Sequence, residues 1–271
     1  MENGGTVKNE LLRRGVTPNK ALGQNFLSDA AVVTAIVDAA EAAGADVLEI
    51  GPGLGALTGG LCARARRVVA VEKDAALAGA LREALPCANL TVETGDFLRA
   101  DVPALMGGGP FVAVGNLPYY ATTPIVEKLL ALLPSSITVM VQREAAERFF
   151  ARPGERVYGP VAVLSNVYYA PRHVLDVPPH AFYPQPEVDS CVVRLVRRAE
   201  AGDDARAFLG FLKRAFAMRR KTLKNNLPPA ERCAAALAAL GFPRDARAEA
   251  LPPEALHQLY RTDFAKEDAA K

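Results

Sequence analysis

Short apolar runs alternate with helical patterns along most of the chain, and that alternation leaves few folds open. Asp46–Ile50, Val68–Glu72, Leu90–Glu93, Phe111–Val114 and Ile137–Gln142 read as strands. Ala31–Ala43, Leu57–Arg64, Ala75–Leu85, Pro124–Leu133 and Glu144–Phe150 read as helices. Near-continuous Val/Ile/Leu strands separated by helices specify a parallel sheet covered on both faces, so the expected class is α/β. Val161–Ala170 and Val188–Val196 read as closing strands, one of them antiparallel. After Arg198 a polar, turn-rich stretch at 199–204 leads into helical patterns at Arg206–Leu223, Pro229–Leu240 and Pro253–Phe264. The expected domains are a flexible arm over 1–18, an α/β domain over 19–198 and a small helical domain over 199–271, its tail frayed over 266–271.

Composition removes several function classes. The 271 residues are 50% hydrophobic, enough for a sizeable core. No apolar run reaches the roughly 18 residues of a membrane helix, and the N-terminal MENGGTVKNELLRRG has no secretory core. Cys62, Cys87, Cys191 and Cys233 are scattered without a C-x-x-C pair, which fits a reducing cytoplasm rather than a disulfide framework or zinc site. The histidines His173, His180 and His257 are too far apart in sequence to suggest a metal centre. The first two read as structural rather than catalytic.

The loop Gly51-Pro-Gly-Leu-Gly55 follows the first strand and opens a helix. Its glycines let the backbone turn tightly and approach a ligand. Glu72 ends the next strand, where an acidic side chain accepts from the ribose hydroxyls of a nucleoside cofactor. A dinucleotide site fits less well, because the loop is not G-x-G-x-x-G and Pro52 lacks the N–H that a pyrophosphate cradle uses. Asp96, just after the third strand, can accept from an adenine amino group or cap a helix.

Asn116-Leu117-Pro118-Tyr119 follows the fourth strand. The Asn116 amide oxygen and the Pro118 carbonyl can both accept from one exocyclic amine. Two such bonds draw its nitrogen toward sp³ geometry and localise a lone pair otherwise delocalised into the base. Tyr119 offers a stacking face for an extruded base, worth about 1–3 kcal/mol. Phe182 and Tyr183, stiffened by Pro184 and Pro186, are candidates for the opposite wall or for a Pro-rich cap on the sheet. Ser28 or Asp29 can cap the following helix, while Gln24 and Asn25 can instead contact a cofactor. The stretch from Phe208 to Lys224 carries six basic residues and no acid. Lys213, Arg220 and Lys224 share one side of a continuous helix read there, with Lys221 beside them, and suggest a phosphate-binding surface.

Together these segments resemble the ribosomal RNA adenine dimethyltransferases, specifically the bacterial small-subunit type. The matching stretches are GQNFL (23–27), LEIGPGLGALT (48–58), VVAVEKD (68–74), GD (95–96), GNLPYYATTPI (115–125), MVQREAAERF (140–149), YGPVAVL (158–164), VLDVPPHAFYPQPEVDSCVVRL (174–195) and RRKTLKNNL (219–227). The resemblance implies a Rossmann-like, seven-stranded class I methyltransferase sheet with a small C-terminal helical domain. It implies S-adenosylmethionine as methyl donor, contacted by Asn25, Leu27, Gly51, Glu72, Asp96 and Asn116, with Gly53 added from the glycine loop itself. It implies a catalytic loop of Asn116, Leu117, Pro118 and Tyr119, and Phe182 as the aromatic wall of the target pocket. The implied substrate is a pair of adjacent adenosines, each dimethylated at N6, in a hairpin near the 3′ end of 16S rRNA in the small subunit. A role in ribosome biogenesis goes with it. The expected protein is a cytoplasmic monomer with neither metal nor membrane partner. The rival functions are a large-subunit adenine dimethyltransferase, a non-enzymatic assembly factor and a DNA adenine methyltransferase.

Overall fold

A computed structural model describes residues 3–19, 23–199, 202 and 204–265. The expected frayed tail lies outside these residues, as do Lys20, Ala21, Leu22 and half of the expected linker. The helices are α1 (Asn3–Arg13), α2 (Ala30–Ala39), α3 (Thr58–Cys62), α4 (Ala75–Ala84), α5 (Val102–Met106), α6 (Thr122–Leu132), α7 (Arg143–Phe150), α8 (Pro160–Tyr168), α9 (Ala205–Ala215), α10 (Leu223–Asn226), α11 (Ala230–Ala239) and α12 (Pro253–Leu259). The strands are β1 (Phe26–Leu27), β2 (Asp46–Ile50), β3 (Arg67–Glu72), β4 (Leu90–Thr94), β5 (Val112–Asn116), β6 (Ser136–Gln142), β7 (Tyr169–Val177), β8 (Phe182–Tyr183) and β9 (Ser190–Arg197).

Seven strands form one sheet in the order β4-β3-β2-β5-β6-β9-β7. β4 to β6 run parallel, and β9 lies antiparallel to β6 with Ser190 opposite Gln142. Val47, Leu48, Val69, Ala70, Ala113 and Val139 are buried, as a sheet covered on both faces requires. β1 pairs with β8 in a separate two-stranded ribbon, Leu27 opposite Phe182. Asp29 and Asp74 cap α2 and α4: the Asp29 carboxylate accepts from the Ala31 and Val32 amides, and Asp74 from those of Ala76 and Leu77.

The structure departs from the reading of the elements at three places, and at a fourth it brings together residues far apart in sequence. Pro160–Tyr168 is a helix where Val161–Ala170 reads as a strand. An apolar run buried over most of its surface carries no period that separates strand from helix, and Pro160 at the first helical position is the overlooked signal. The continuous helix read over Arg206–Leu223 stops at Ala215. At that end Asn226 donates its amide to the carbonyls of Ala215 (2.7 Å) and Met218 (3.3 Å). The expected flexible arm contains helix α1, whose Leu11 is only 2% exposed. Finally, Cys62 and Cys87, scattered in sequence, come side by side; burial first, then Cys87, pushes the Cys62 thiol up to about 12.

Contacts divide the chain into two compact units. One comprises Met1–Ile125, Pro134–Ala146 and Arg172–Val196, and holds nearly all of the sheet. The other comprises Val126–Leu133, Glu147–Pro171 and Arg197–Lys271, so it recruits segments well before residue 199. Its interior is aromatic: Phe208, Phe211, Tyr260 and His257 cluster, and the Tyr168 hydroxyl donates to Asp204 at 2.6 Å. No described helix is long and apolar enough to cross a membrane.

Candidate active site

The strand order reverses between β2 and β5, because β3 and β4 extend the sheet to one side and β6 to the other. Open α/β sheets bind ligands at the carboxyl ends of the strands flanking such a point. A cavity of about 380 Å³ lies there. Gly51, Gly53, Glu72, Asp96, Asn116 and Tyr119 all line it, together with Asn25, Leu27, Leu117 and Pro118.

Glu72 is 6% exposed at the end of β3. Its Oε2 accepts from the Gly53 amide at 3.0 Å and its Oε1 from the Asp74 amide at 2.9 Å. Burial raises its pKa, and these backbone bonds pull the other way. An ionised carboxylate offers about four acceptor positions, and the Lys73 amide also bonds Glu72, so about one stays open. The glycine turn comes close: Gly53 has φ +58°, and a Cβ there would meet the Phe26 ring at 3.3 Å. Gly51 likewise sits at positive φ. The Asp96 carboxylate accepts from the Leu98 amide (2.9 Å) and pairs with Lys73 (3.0 Å). Those two bonds hold its pKa below the usual value. The helix-cap reading of Asp96 does not hold: residues 97–99 form a turn and the next helix, α5, is capped by Asp101, while the Asp96 carboxylate borders the cavity.

Asn116 donates its amide N–H to the Asn25 carbonyl at 3.2 Å, which fixes the amide and leaves Oδ1 as an acceptor. The partner acceptor named in the sequence reading changes. The Pro118 carbonyl is already filled by the Ala121 amide (3.0 Å) and the Thr122 hydroxyl (3.1 Å), which close the turn after the loop. The Leu117 carbonyl has no protein donor among the described residues. The Tyr119 hydroxyl shares a 2.8 Å bond with Ser190. Phe182 is a correction: it is 2% exposed, packs with Leu27, Val177 and Ala181, and does not line the cavity. Its pairing in β8 opposite Leu27 directs it into the core. His173 and His180 are also absent from the lining.

Sequence reasoning missed Glu49, Lys73, Tyr120 and Ser190. Glu49 lines the cavity from β2, is 1% exposed, and its Oε2 has no hydrogen-bond partner. Burial, with the neighbouring Glu72 charge adding to it, pushes its pKa up to about 8. Its place inside the LEIGPG stretch, one residue before a strand end, was the available signal. Ser190 closes the QPEVDS stretch, and nothing local to that segment points to Tyr119. Among the described residues one group of metal-type ligands occurs, His173, Asp176 and Cys191, away from the cavity and with Arg143 paired to Asp176 at 3.3 Å.

The basic surface is also rearranged. Lys213 lies on α9 and pairs with Glu127 at 2.7 Å, while Arg220 and Lys221 lie in the turn beyond it and Lys224 on α10. The four therefore do not share a helix face. Arg219, equally basic, is spent on the Tyr158 carbonyl (2.9 Å) and Glu249 (3.2 Å).

A buried carboxylate with an open acceptor position, an acidic residue one strand further on and a glycine turn fit a nucleoside-type donor. The unpartnered Glu49 oxygen leaves room for a further polar or cationic group. Fold and cavity define a class I methyltransferase, a class whose methyl donor is S-adenosylmethionine. More narrowly, the chain belongs to the ribosomal RNA adenine dimethylase family, whose model matches residues 15–262, and it is therefore an enzyme of that methyltransferase family. It is 43% identical over 259 residues to a Deinococcus radiodurans protein named Ribosomal RNA small subunit methyltransferase A, covering 93% of this chain and 88% of the relative. A Bacillus licheniformis protein of the same name is 44% identical over 235 residues, covering 82% and 80%. Among solved structures, a dimethyladenosine transferase from Plasmodium falciparum matches with TM-score 0.73 at 23% identity, covering 89% of this chain and 98% of that one. The 23S rRNA methyltransferase ErmE matches with TM-score 0.64 at 33% identity, covering 88% and 98%.

Proposed function

We propose that this protein uses S-adenosylmethionine to dimethylate, at N6, two adjacent adenosines in a hairpin near the 3′ end of 16S rRNA, acting on the small subunit during its biogenesis. One observation carries this reading. The Asn116–Tyr119 loop opens into the same cavity as Glu72 and Asp96. The small-subunit target rests on the named relatives and on the QPEVDS and RRKTLKNNL stretches.

When bound, S-adenosylmethionine supplies an electrophilic methyl group. Glu72 holds ribose hydroxyls, Asp96 accepts from the donor's adenine amine, and Asn25, Leu27, Gly51 and Gly53 form the rest of the donor's bed. Asn116 Oδ1 and the Leu117 carbonyl accept from the target amine and localise its lone pair. Tyr119 stacks on the extruded base. These acceptors are neutral and fixed before the reaction, so positioning and electrostatics drive the step rather than a titrating base. The proton leaves the nitrogen to solvent after transfer. Arg220, Lys221 and Lys224 hold RNA phosphates, with Lys213 beside them.

The test is incubation with labelled donor and, separately, isolated small subunits, large subunits and DNA. Label on small-subunit adenines is expected. Label on the large subunit or on DNA would select a rival enzyme, and no label anywhere would select the assembly factor. Asn116→Ala should lose methyl transfer by about 10²-fold, the scale of removing one preorganised polar contact, while still binding the subunit.

A further inference from the structure

Helix α1 precedes the stretch that the family model matches, 15–262, yet it reaches the donor cavity. Val7 and Glu10, one turn apart, both line it. Leu11 seats the helix: it is 2% exposed in a cluster with Phe26 and Leu77, against which Val7, Val16, Leu54 and Tyr183 pack. The Val16 amide closes the end of the helix on the Leu11 carbonyl at 2.9 Å. Arg14 holds the Glu10 carboxylate through its Nε at 2.6 Å, and Arg13 pairs with it too.

The cluster also tells which end of the cavity α1 covers. Phe26 is the ring that stands against Gly53, and Gly53 donates to Glu72. Leu77 lies in the first turn of α4, whose cap Asp74 donates its amide to the other Glu72 oxygen. Phe26 stands against Gly53 and Leu77 lies three residues past Asp74, the two residues whose amides bond the Glu72 carboxylate, and α1 packs on both. We propose that α1 is a wall of the donor site, in which Val7 and Glu10 close the Glu72 end over the ribose of the bound nucleoside donor and slow its exchange. This rests on the donor reading given above. Closing that end excludes water from the Glu72 hydrogen bonds, which strengthens them.

The experiment uses the full-length protein and S-adenosylhomocysteine as the probe. Leu11→Asp unseats α1 from Phe26 and Leu77, whereas Val7→Ser leaves the buried Leu11 anchor in place and removes the apolar wall. Stopped-flow displacement should show probe dissociation accelerated on the order of tenfold by Leu11→Asp, equivalent to about 1.4 kcal/mol. Val7→Ser should give a smaller acceleration, and neither change should alter affinity for small subunits. In the wild type, backbone amides of residues 7–13 should gain hydrogen-exchange protection when the probe binds. Should Leu11→Asp fail to fold, Val7→Ser and the exchange measurement still decide. Unchanged dissociation with unchanged protection would reduce α1 to packing and overturn the proposal. Failure of the wild type to bind the probe would instead overturn the donor reading, and the proposal with it.

Discussion

At the scale of single residues, the site is held by contacts that the sequence spaces far apart. Tyr119 and Ser190 are 71 positions apart and share a 2.8 Å bond, with Ser190 fully buried. The ring is therefore aimed as well as supplied, and the hydroxyl is not a bystander. Tyr119→Phe should leave stacking intact but strand the Ser190 hydroxyl, at about 1 kcal/mol. Ser190→Ala should cost a similar amount, and the double variant little more than either single one. A double-mutant cycle read on KM for the RNA and on kcat checks this, and full additivity would show that the two act independently. Glu49 makes a different prediction. An acid whose folded pKa, about 8, lies above its ordinary 4.5 keeps its proton while the unfolded chain loses it. Its contribution to stability is therefore undiminished below about 4.5, then declines as pH rises toward 8. Glu49→Gln should flatten that decline, giving a variant more stable than wild type at pH 8 and little changed at the acid end. Denaturant titrations across the range check it.

At the scale of elements, legibility followed the origin of each element. Strands β2, β3, β5 and β6 were readable because a parallel sheet buried on both faces leaves nearly continuous apolar runs, whereas the edge strand β4 alternates apolar and polar residues. The Asp29 cap and the loops at strand ends were readable for similarly local reasons. The failures were tertiary. Helix α8 is buried over most of its surface, including five consecutive residues from Val161 to Ser165, so the period that separates helix from strand is absent there. Helix α9 ends at Ala215, whose open carbonyl is filled by Asn226, eleven residues on. Phe182 lies in an aromatic, proline-rich stretch that reads as a pocket wall, but the register of β1 with β8 commits it to the core. Glu72, Asp96 and Asn116 were legible as a set because each sits at or just past a strand end. Their partners were not. Asn226→Ala should destabilise the protein by about 1–2 kcal/mol through unsatisfied carbonyls, and Asn226→Asp should not rescue it, because a carboxylate donates nothing. Thermal unfolding of both variants checks this.

At the scale of the whole molecule, a net charge of +2 hides a strongly uneven distribution, and the structure sorts the basic residues by what they are free to do. Arg219 holds the Tyr158 carbonyl and Glu249, and Lys213 is matched by Glu127. Arg220, Lys221 and Lys224 have no ion-pair partner among the described residues. Binding a polyanion releases condensed counterions in proportion to the phosphates neutralised, so affinity for small subunits should fall linearly in log–log form with salt. Neutralising Arg220, Lys221 or Lys224 to Gln should lower that slope by about one each. Lys213→Gln should lower it less, since binding must first draw Lys213 from Glu127. Reversing Arg220, Lys221 and Lys224 together to Glu should abolish subunit binding and leave affinity for S-adenosylhomocysteine intact, because none of the three lines the donor cavity. Filter binding from low to physiological salt, with calorimetry for the small ligand, separates the two effects. An unchanged slope in all four neutral variants would return this segment to an ordinary solvated surface and move the RNA contact elsewhere.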